Sequence, residues 1–117
     1  MRILIVDDNE RLRRGLAAVV ASESDWQICG EAENGMEAID KTRQLRPDLV
    51  LLDVSMPGLD GFETARRMRG EFPAIKIVIL SLHDPSEIRQ RALEAGANAC
   101  LDKLSIATEL VKVIRAA

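Results

Sequence analysis

Three acidic side chains stand directly after runs that are apolar at every position. Asp7 and Asp8 follow Ile3-Leu4-Ile5-Val6, and Asp53 follows Leu49-Val50-Leu51-Leu52. Carboxylates gathered within a few ångströms repel one another unless a cation neutralises them or some are protonated. A hard divalent ion is the economical answer. Magnesium, which prefers an octahedron of oxygens and keeps some water, suits one or two carboxylates plus a phosphoryl group. Another apolar run, Ile77-Val78-Ile79-Leu80, is followed by Ser81, and the short run Ala99-Cys100-Leu101 by Asp102 and Lys103. A hydroxyl and an ammonium beside the acidic group make a phosphoryl receptor, in which Lys103 neutralises a phosphoryl oxygen and Ser81 donates a hydrogen bond. One carboxylate is then the nucleophile, because an aspartyl phosphate is a recognised covalent intermediate, and Asp53 stands in the middle of the set.

This chemistry requires the runs to be neighbouring strands. Runs that are apolar throughout suit parallel strands covered on both faces. Trp26-Gln27-Ile28-Cys29 alternates before Gly30, so it and Ala99-Cys100-Leu101 read as the outer strands. Between the runs the period becomes helical: Leu12, Leu16, Val19 and Val20 share one face, and Ile106, Leu110, Val113 and Ile114 repeat that spacing. Further helices are expected to begin near Gly35, Gly61 and Pro85. Asn34 with Glu37, and Asp84-Pro85-Ser86-Glu87, supply capping chemistry, and Gly96 supplies a stop. Five βα units joined by right-handed crossovers predict a flavodoxin-like (βα)5 fold, a doubly wound parallel sheet of strand order 2-1-3-4-5. Its topological switch lies between the first and third strands, and ligands bind beyond their carboxyl ends, where Asp7, Asp8 and Asp53 stand.

The 117 residues fit one domain spanning 1–117. A formal charge of −3 offers no cationic field for DNA, so no direct nucleic-acid binding is expected. The longest wholly apolar run, Leu16 to Ala21, is far short of the ~18 residues of a membrane span. No export signal follows Met1, and Cys29 and Cys100 read as reduced core thiols, which together point to the cytoplasm. Arg11, Arg13 and Arg14 read as the solvated face of the first helix, His83 as an exposed loop residue, and Trp26 as a packing residue away from the crevice.

Asp7-Asp8, the segment Leu51-Leu52-Asp53-Val54-Ser55-Met56-Pro57-Gly58-Leu59-Asp60-Gly61, Ser81 and Lys103 together resemble the signature of bacterial response-regulator receiver domains of two-component signalling. The match spans essentially the whole chain. Glu31-Ala32-Glu33-Asn34-Gly35-Met36-Glu37-Ala38 and Ala92-Leu93-Glu94-Ala95-Gly96-Ala97 are similar to the receivers of NarL/FixJ (LuxR-type) transcriptional regulators. The resemblance implies a phosphorylation-dependent switch rather than an enzyme. Asp53 would accept a phosphoryl group from a sensor histidine kinase with Mg2+ as cofactor, Mn2+ being able to substitute. Asp8, Asp53 and the Ser55 carbonyl would be direct metal ligands and Asp7 a ligand through water, while Lys103 would pair with the phosphoryl group. In such receivers the hydroxyl at Ser81 swings toward the phosphorylated aspartate and an aromatic side chain on the fifth strand rotates inward. Here that position is Cys100, and the chain has no tyrosine. Leu104 replaces a proline that many receivers join by a cis bond, so a trans bond is expected.

The resemblance further implies a partner contact or homodimer on the face of the fourth helix, fifth strand and fifth helix. It also implies transcriptional control through a C-terminal helix-turn-helix domain missing here; a stand-alone receiver acting through protein contacts is the alternative. A phosphatase of the haloacid-dehalogenase type would want an Asp where Ser55 stands, and a flavin or dinucleotide module a phosphate-cradling loop where Asp7-Asp8-Asn9-Glu10 stands.

Overall fold

Strands and helices alternate along the chain in a computed structural model that describes residues 1–54, 60–82 and 85–117. They are β1 (Arg2–Val6), α1 (Glu10–Ala21), β2 (Gln27–Ala32), α2 (Gly35–Leu45), β3 (Leu49–Asp53), α3 (Gly61–Glu71), β4 (Lys76–Ser81), α4 (Pro85–Glu94), β5 (Ala99–Asp102) and α5 (Ile106–Ala116), with a 3-10 turn over Lys103–Ser105 before α5. The strands form one sheet in the order β2-β1-β3-β4-β5, all neighbours parallel, as the alternation predicts.

Each central strand divides its side chains between two cores. Leu4, Val6, Val50, Leu52, Ile77 and Ile79 pack with α2 and α3 through Ile39, Phe62 and Met68. Ile3, Ile5, Leu49, Leu51, Val78 and Leu80 pack with α1 and α5 through Leu16, Val20, Leu110 and Ile114. Both sets are buried because helices cover both faces, and each fully buried Leu or Ile contributes about 1.5–3 kcal/mol.

The starts of α1, α2 and α3 are set by side-chain caps. Asn9 accepts from the Leu12 N–H at 3.1 Å, Asn34 from Glu37 at 2.9 Å, and Asp60 from Glu63 at 2.8 Å. Of these only Asn34 is foreseen from the sequence; Asn9 and Asp60 sit among residues whose acidity and turn character mask the capping role. The expected cap at Asp84 lies outside the described residues, although α4 does begin at Pro85. Gly96 follows α4 with φ of +92°, the left-handed conformation expected of a helix stop.

The second strand departs from its expected bounds. It starts at Gln27 and continues through Gly30 to Ala32, and its register against β1 shifts so that Ile3 faces Ile28 while Leu4 faces Gly30. A bulge at Cys29 absorbs the extra residue. A Cβ on Gly30 would meet Leu45 Cδ1 at 2.7 Å, so a side chain there would require the end of the Leu45 side chain to shift. Trp26 lies just before β2, nearly buried, with the Arg115 guanidinium 4.8 Å from its ring centre. Cys29 and Cys100 are in no disulfide among the described residues and are only half-buried, on the margin of the α2/α3 core rather than inside it, because β2 and β5 are the sheet's edges.

Candidate functional site

The carboxyl ends of β1 and β3 lie side by side, and the chain leaves them in opposite directions, β1 toward β2 and β3 toward β4. The crevice between them collects the acidic residues. Ligand oxygens of Asp7, Asp8 and Asp53 all lie within 4.8 Å of one another. Asp7 and Asp53 are buried, at 0% and 1% exposure, whereas Asp8 faces solvent. Lys103, at the first position of the 3-10 turn, reaches across the crevice to place Nζ 2.8 Å from Asp53 Oδ1 and 3.2 Å from Asp7 Oδ2. Among the described residues this ammonium thus lies against two of the three carboxylates.

Burial pushes the Asp7 carboxyl above its ordinary value and the nearby Asp53 charge adds to the rise, against the Asn9 N–H bond at 2.9 Å and the Lys103 ammonium, which act to lower it. Burial alone would lower the Lys103 ammonium; the hydrogen bond and charge of Asp53, with the charge of Asp7, outweigh it and hold the group above its ordinary value. Lysine therefore stays cationic at neutral pH. Asp7 Oδ2 is buried and accepts no well-directed hydrogen bond among the described residues, with the ammonium alone beside it. An orphaned buried carboxylate oxygen in an all-oxygen donor set fits a hard dication: opposite ligands of a 2.1 Å octahedron lie about 4.2 Å apart, and these groups are already nearly that close.

Ser81 ends β4, buried and opposite Asp102 in register with β5, while Cys100 faces Ile79 two residues earlier. Strand alternation puts Ser81 and Cys100 on the same side of the sheet. Asp102, adjacent to Lys103 in sequence, stays out of the acidic cluster and instead accepts from the Leu104 N–H at 2.9 Å, which caps the 3-10 turn. That cap fixes the point from which Lys103 reaches inward. No cis peptide bond occurs among the described residues, so the chain passes from Lys103 to exposed Leu104 in the trans form. Leu82, also exposed, and Leu104 flank the mouth of the crevice, which Asp7, Asp8, Asp53 and Lys103 line with Leu12.

The arginines of α1 require a correction. Arg11 and Arg14 are exposed as expected, but Arg13 is buried, donating to the Asp7 carbonyl at 2.6 Å and to Glu31 Oε1 at 3.0 Å. Arg13 precedes Leu16 by three residues and Val20 by seven, so helical periodicity carries it onto the inward face. The expected ligand carbonyl of Ser55, the Met56-Pro57-Gly58 turn and His83 lie outside the described residues.

Residues 3–115 match the response regulator receiver domain family. Among curated proteins, the chain is 36% identical over 115 residues to the response regulator GacA of Pseudomonas viridiflava, covering 98% of this chain and 54% of that protein. It is 33% identical over 115 residues to the response regulator protein VraR of Staphylococcus saprophyticus, with 98% and 55% covered. The chain therefore spans about half the length of the curated relatives it matches. Among solved structures, a two-component response regulator of the LuxR family from Aurantimonas superposes with a TM-score of 0.93 at 34% identity, over 98% of this chain and 82% of that one. The response regulator domain of Thermotoga maritima CheB gives 0.91 at 29% identity, over 100% and 95%. A helix-flanked sheet with an acidic crevice at its switch point, matched over nearly every residue, thus belongs to the response-regulator receiver domains, in the NarL/FixJ (LuxR-type) group.

Proposed function

We propose that this receiver is a phosphorylation-dependent switch in which Asp53 takes a phosphoryl group from the phosphohistidine of a sensor kinase. The observation that carries the reading is the ammonium of Lys103 held between Asp7 and Asp53 inside a cluster of three carboxylates. Such a cluster is unfavourable by itself and becomes favourable when cation and phosphoryl oxygens share it.

A carboxylate oxygen of Asp53 attacks phosphorus as the bond to the histidine nitrogen breaks, and the imidazole leaves with the bonding pair. Lys103 stays within reach of the oxygens on which charge collects, so positioning and electrostatics do the work. Asp7, Asp8 and Asp53 would hold Mg2+, with Asp7 acting through water and the Ser55 carbonyl completing the set. When bound, that ion supplies charge neutralisation for the phosphoryl oxygens. Ser81, at the end of the adjacent strand, would donate a hydrogen bond to a phosphoryl oxygen.

Phosphorylation then shifts a two-state equilibrium on the face of α4, β5 and α5, changing a partner contact or dimerisation. No turnover of an external substrate is needed, and the protein would work in the cytoplasm beside its kinase. In a longer protein of its relatives' length, the output would be transcriptional control through a DNA-binding domain. Among the described residues no helix is long and apolar enough to cross a membrane.

Incubation with acetyl phosphate and Mg2+, followed by intact mass, tests the reading. One added phosphoryl group is expected on the wild type, none on Asp53→Asn, and a strong loss on Asp8→Asn. Modification that persists in Asp53→Asn would move the acceptor elsewhere.

A further inference from the structure

Asp8 contributes to the acidic cluster from an exposed position, and among the described residues no hydrogen bond or ion pair holds its carboxylate. Its direction must be set through the backbone. The peptide joining Asp7 to Asp8 is held by its carbonyl, which accepts from Arg13 Nη1 at 2.6 Å, while the preceding peptide is held by the Asp7 N–H, which donates to the Ala32 carbonyl at 3.0 Å. Arg13 is in turn fixed from the other side. Its Nε donates to Glu31 Oε1 at 3.0 Å, and its Nη2 lies 3.6 Å from Glu33 Oε1. The side chain is 9% exposed, so this guanidinium is a buried strut between the β1–α1 connection and the end of β2.

We infer that Arg13 is a positioning residue for the acidic pocket, fixing the plane of the Asp7–Asp8 peptide and thereby the direction from which the Asp8 carboxylate enters the cluster. Arg13 touches none of the three carboxylates in the described contacts; it acts through the main chain. The planar fork suits this task, because one edge grips a carbonyl while the other is held by carboxylates, and an ammonium cannot do both with fixed angles. Glu31 and Glu33 supply the carboxylate oxygens that hold the guanidinium from the side away from the Asp7 carbonyl. The inference rests on the proposed metal-assisted phosphoryl uptake.

Calorimetric titration with Mn2+ and the rate of phosphoryl uptake from acetyl phosphate at graded Mg2+ test it together. Arg13→Met, which keeps the aliphatic stem, is expected to raise the Mn2+ dissociation constant about tenfold, the usual scale for groups that orient ligands. Uptake should return to the wild-type plateau at saturating Mg2+, so the apparent metal constant moves and the plateau does not. Arg13→Lys should recover part of the loss. Glu31→Gln, exposed and touching the guanidinium but none of the three carboxylates in the described contacts, should raise the constant by less, about two- to threefold, with an unchanged melting temperature. Should Arg13→Met fail to fold, Glu31→Gln decides alone. Metal constants indistinguishable from wild type in the folded variants, whatever their melting temperatures, would overturn the inference and leave Arg13 a purely structural strut. A wild type that binds no dication and takes up no phosphoryl group would remove the proposed function as well.

Discussion

A Cβ on Gly61 would stand 2.5 Å from the carbonyl oxygen of Asp53, and closer still to the Cα of Val54. The first residue of α3 therefore packs on the backbone of the proposed phosphoacceptor, and only hydrogen fits between them. Backbone on both sides cannot move aside as a flexible side chain would. The close approach seats α3 under the end of β3, so a substitution here reaches Asp53 directly.

Gly61→Ala is accordingly expected to cost about 1–3 kcal/mol, the range for forcing extra volume into a packed site. It should also slow phosphoryl uptake, because relief of the clash displaces the Asp53 main chain. Gly70, also in α3, is the matched control, since nothing lies within 4 Å of its Cβ position. Gly70→Ala should gain about 0.5–1 kcal/mol through helix propensity and leave uptake alone. Urea unfolding and intact mass on the two variants separate the effects; equal stabilities would contradict the packing argument.

Lys103 is predicted to have two separable effects. Lys103→Ala removes the ammonium beside Asp7 and Asp53, which in the metal-free protein should cost on the order of 3 kcal/mol, limited by the readiness of Asp7 to take up a proton. Mg2+ should narrow that gap only by as much as it binds the variant more tightly than the wild type, about 1.4 kcal/mol for each tenfold at saturating ion. Metal affinity should be equal to or tighter than in the wild type, since a competing cation has gone, while phosphoryl uptake collapses. Calorimetry and intact mass check both halves, and weaker metal binding would show that Lys103 organises the carboxylates rather than opposing their ligand.

How much of this was legible depended on whether residue type and position carried the same message. The strands Ile3-Leu4-Ile5-Val6, Leu49-Val50-Leu51-Leu52 and Ile77-Val78-Ile79-Leu80 announce themselves because burial on both faces leaves no polar position. The gathering of Asp7, Asp8, Asp53 and Lys103 follows from strand order alone. Arg13 was misread because its charge argued for solvent while its spacing to Leu16 and Val20 argued for the interior, and the spacing won once carboxylates and a carbonyl were there to receive the guanidinium. The bulge at Cys29 has no local signature, since it arises from fitting two strands of unequal length. Asp102 resembles the other strand-end aspartates, and only the 3-10 turn that follows it decides that it caps rather than joins them.

Away from the crevice, Arg115 near the end of α5 pairs with Glu23 at 2.5 Å and Asp25 at 3.4 Å, and lies over Trp26. The Arg115 hydrogen bond holds the Asp25 carboxyl below its ordinary value of 3.8. A depressed folded-state value means that this pair contributes stability above the unfolded value and loses it as pH falls through the lower folded one. Asp25→Asn should therefore melt slightly below the wild type at pH 7, and the difference should vanish in strong acid. Thermal melts followed by Trp26 fluorescence check this. A difference that persists at low pH would assign the effect to packing rather than charge.

The last prediction concerns Cys100. Beside it, between α4 and α5, lies a cavity of 390 Å³ lined by Arg89, Ala92, Leu93, Ala97, Asn98 and Val113 among others. A thiol leaves that space open, and small side chains make up most of its walls. Cys100→Tyr is expected to fit, with a melting temperature within about 4 °C of wild type, which corresponds to roughly 1 kcal/mol. The phenol hydroxyl has Arg89 and Asn98 nearby as hydrogen-bonding partners. Ser81 lies on the same side of the sheet, two residues beyond the position that Cys100 faces. A ring has different contacts inside and outside the cavity, so it can separate two states by more free energy than a thiol, and only differential contacts shift an equilibrium. Phosphorylated Cys100→Tyr should therefore associate more strongly than the phosphorylated wild type, measured by light scattering after size exclusion. Unchanged association in a folded, phosphorylated variant would mean that the signal leaves Ser81 with no call on a side chain at position 100.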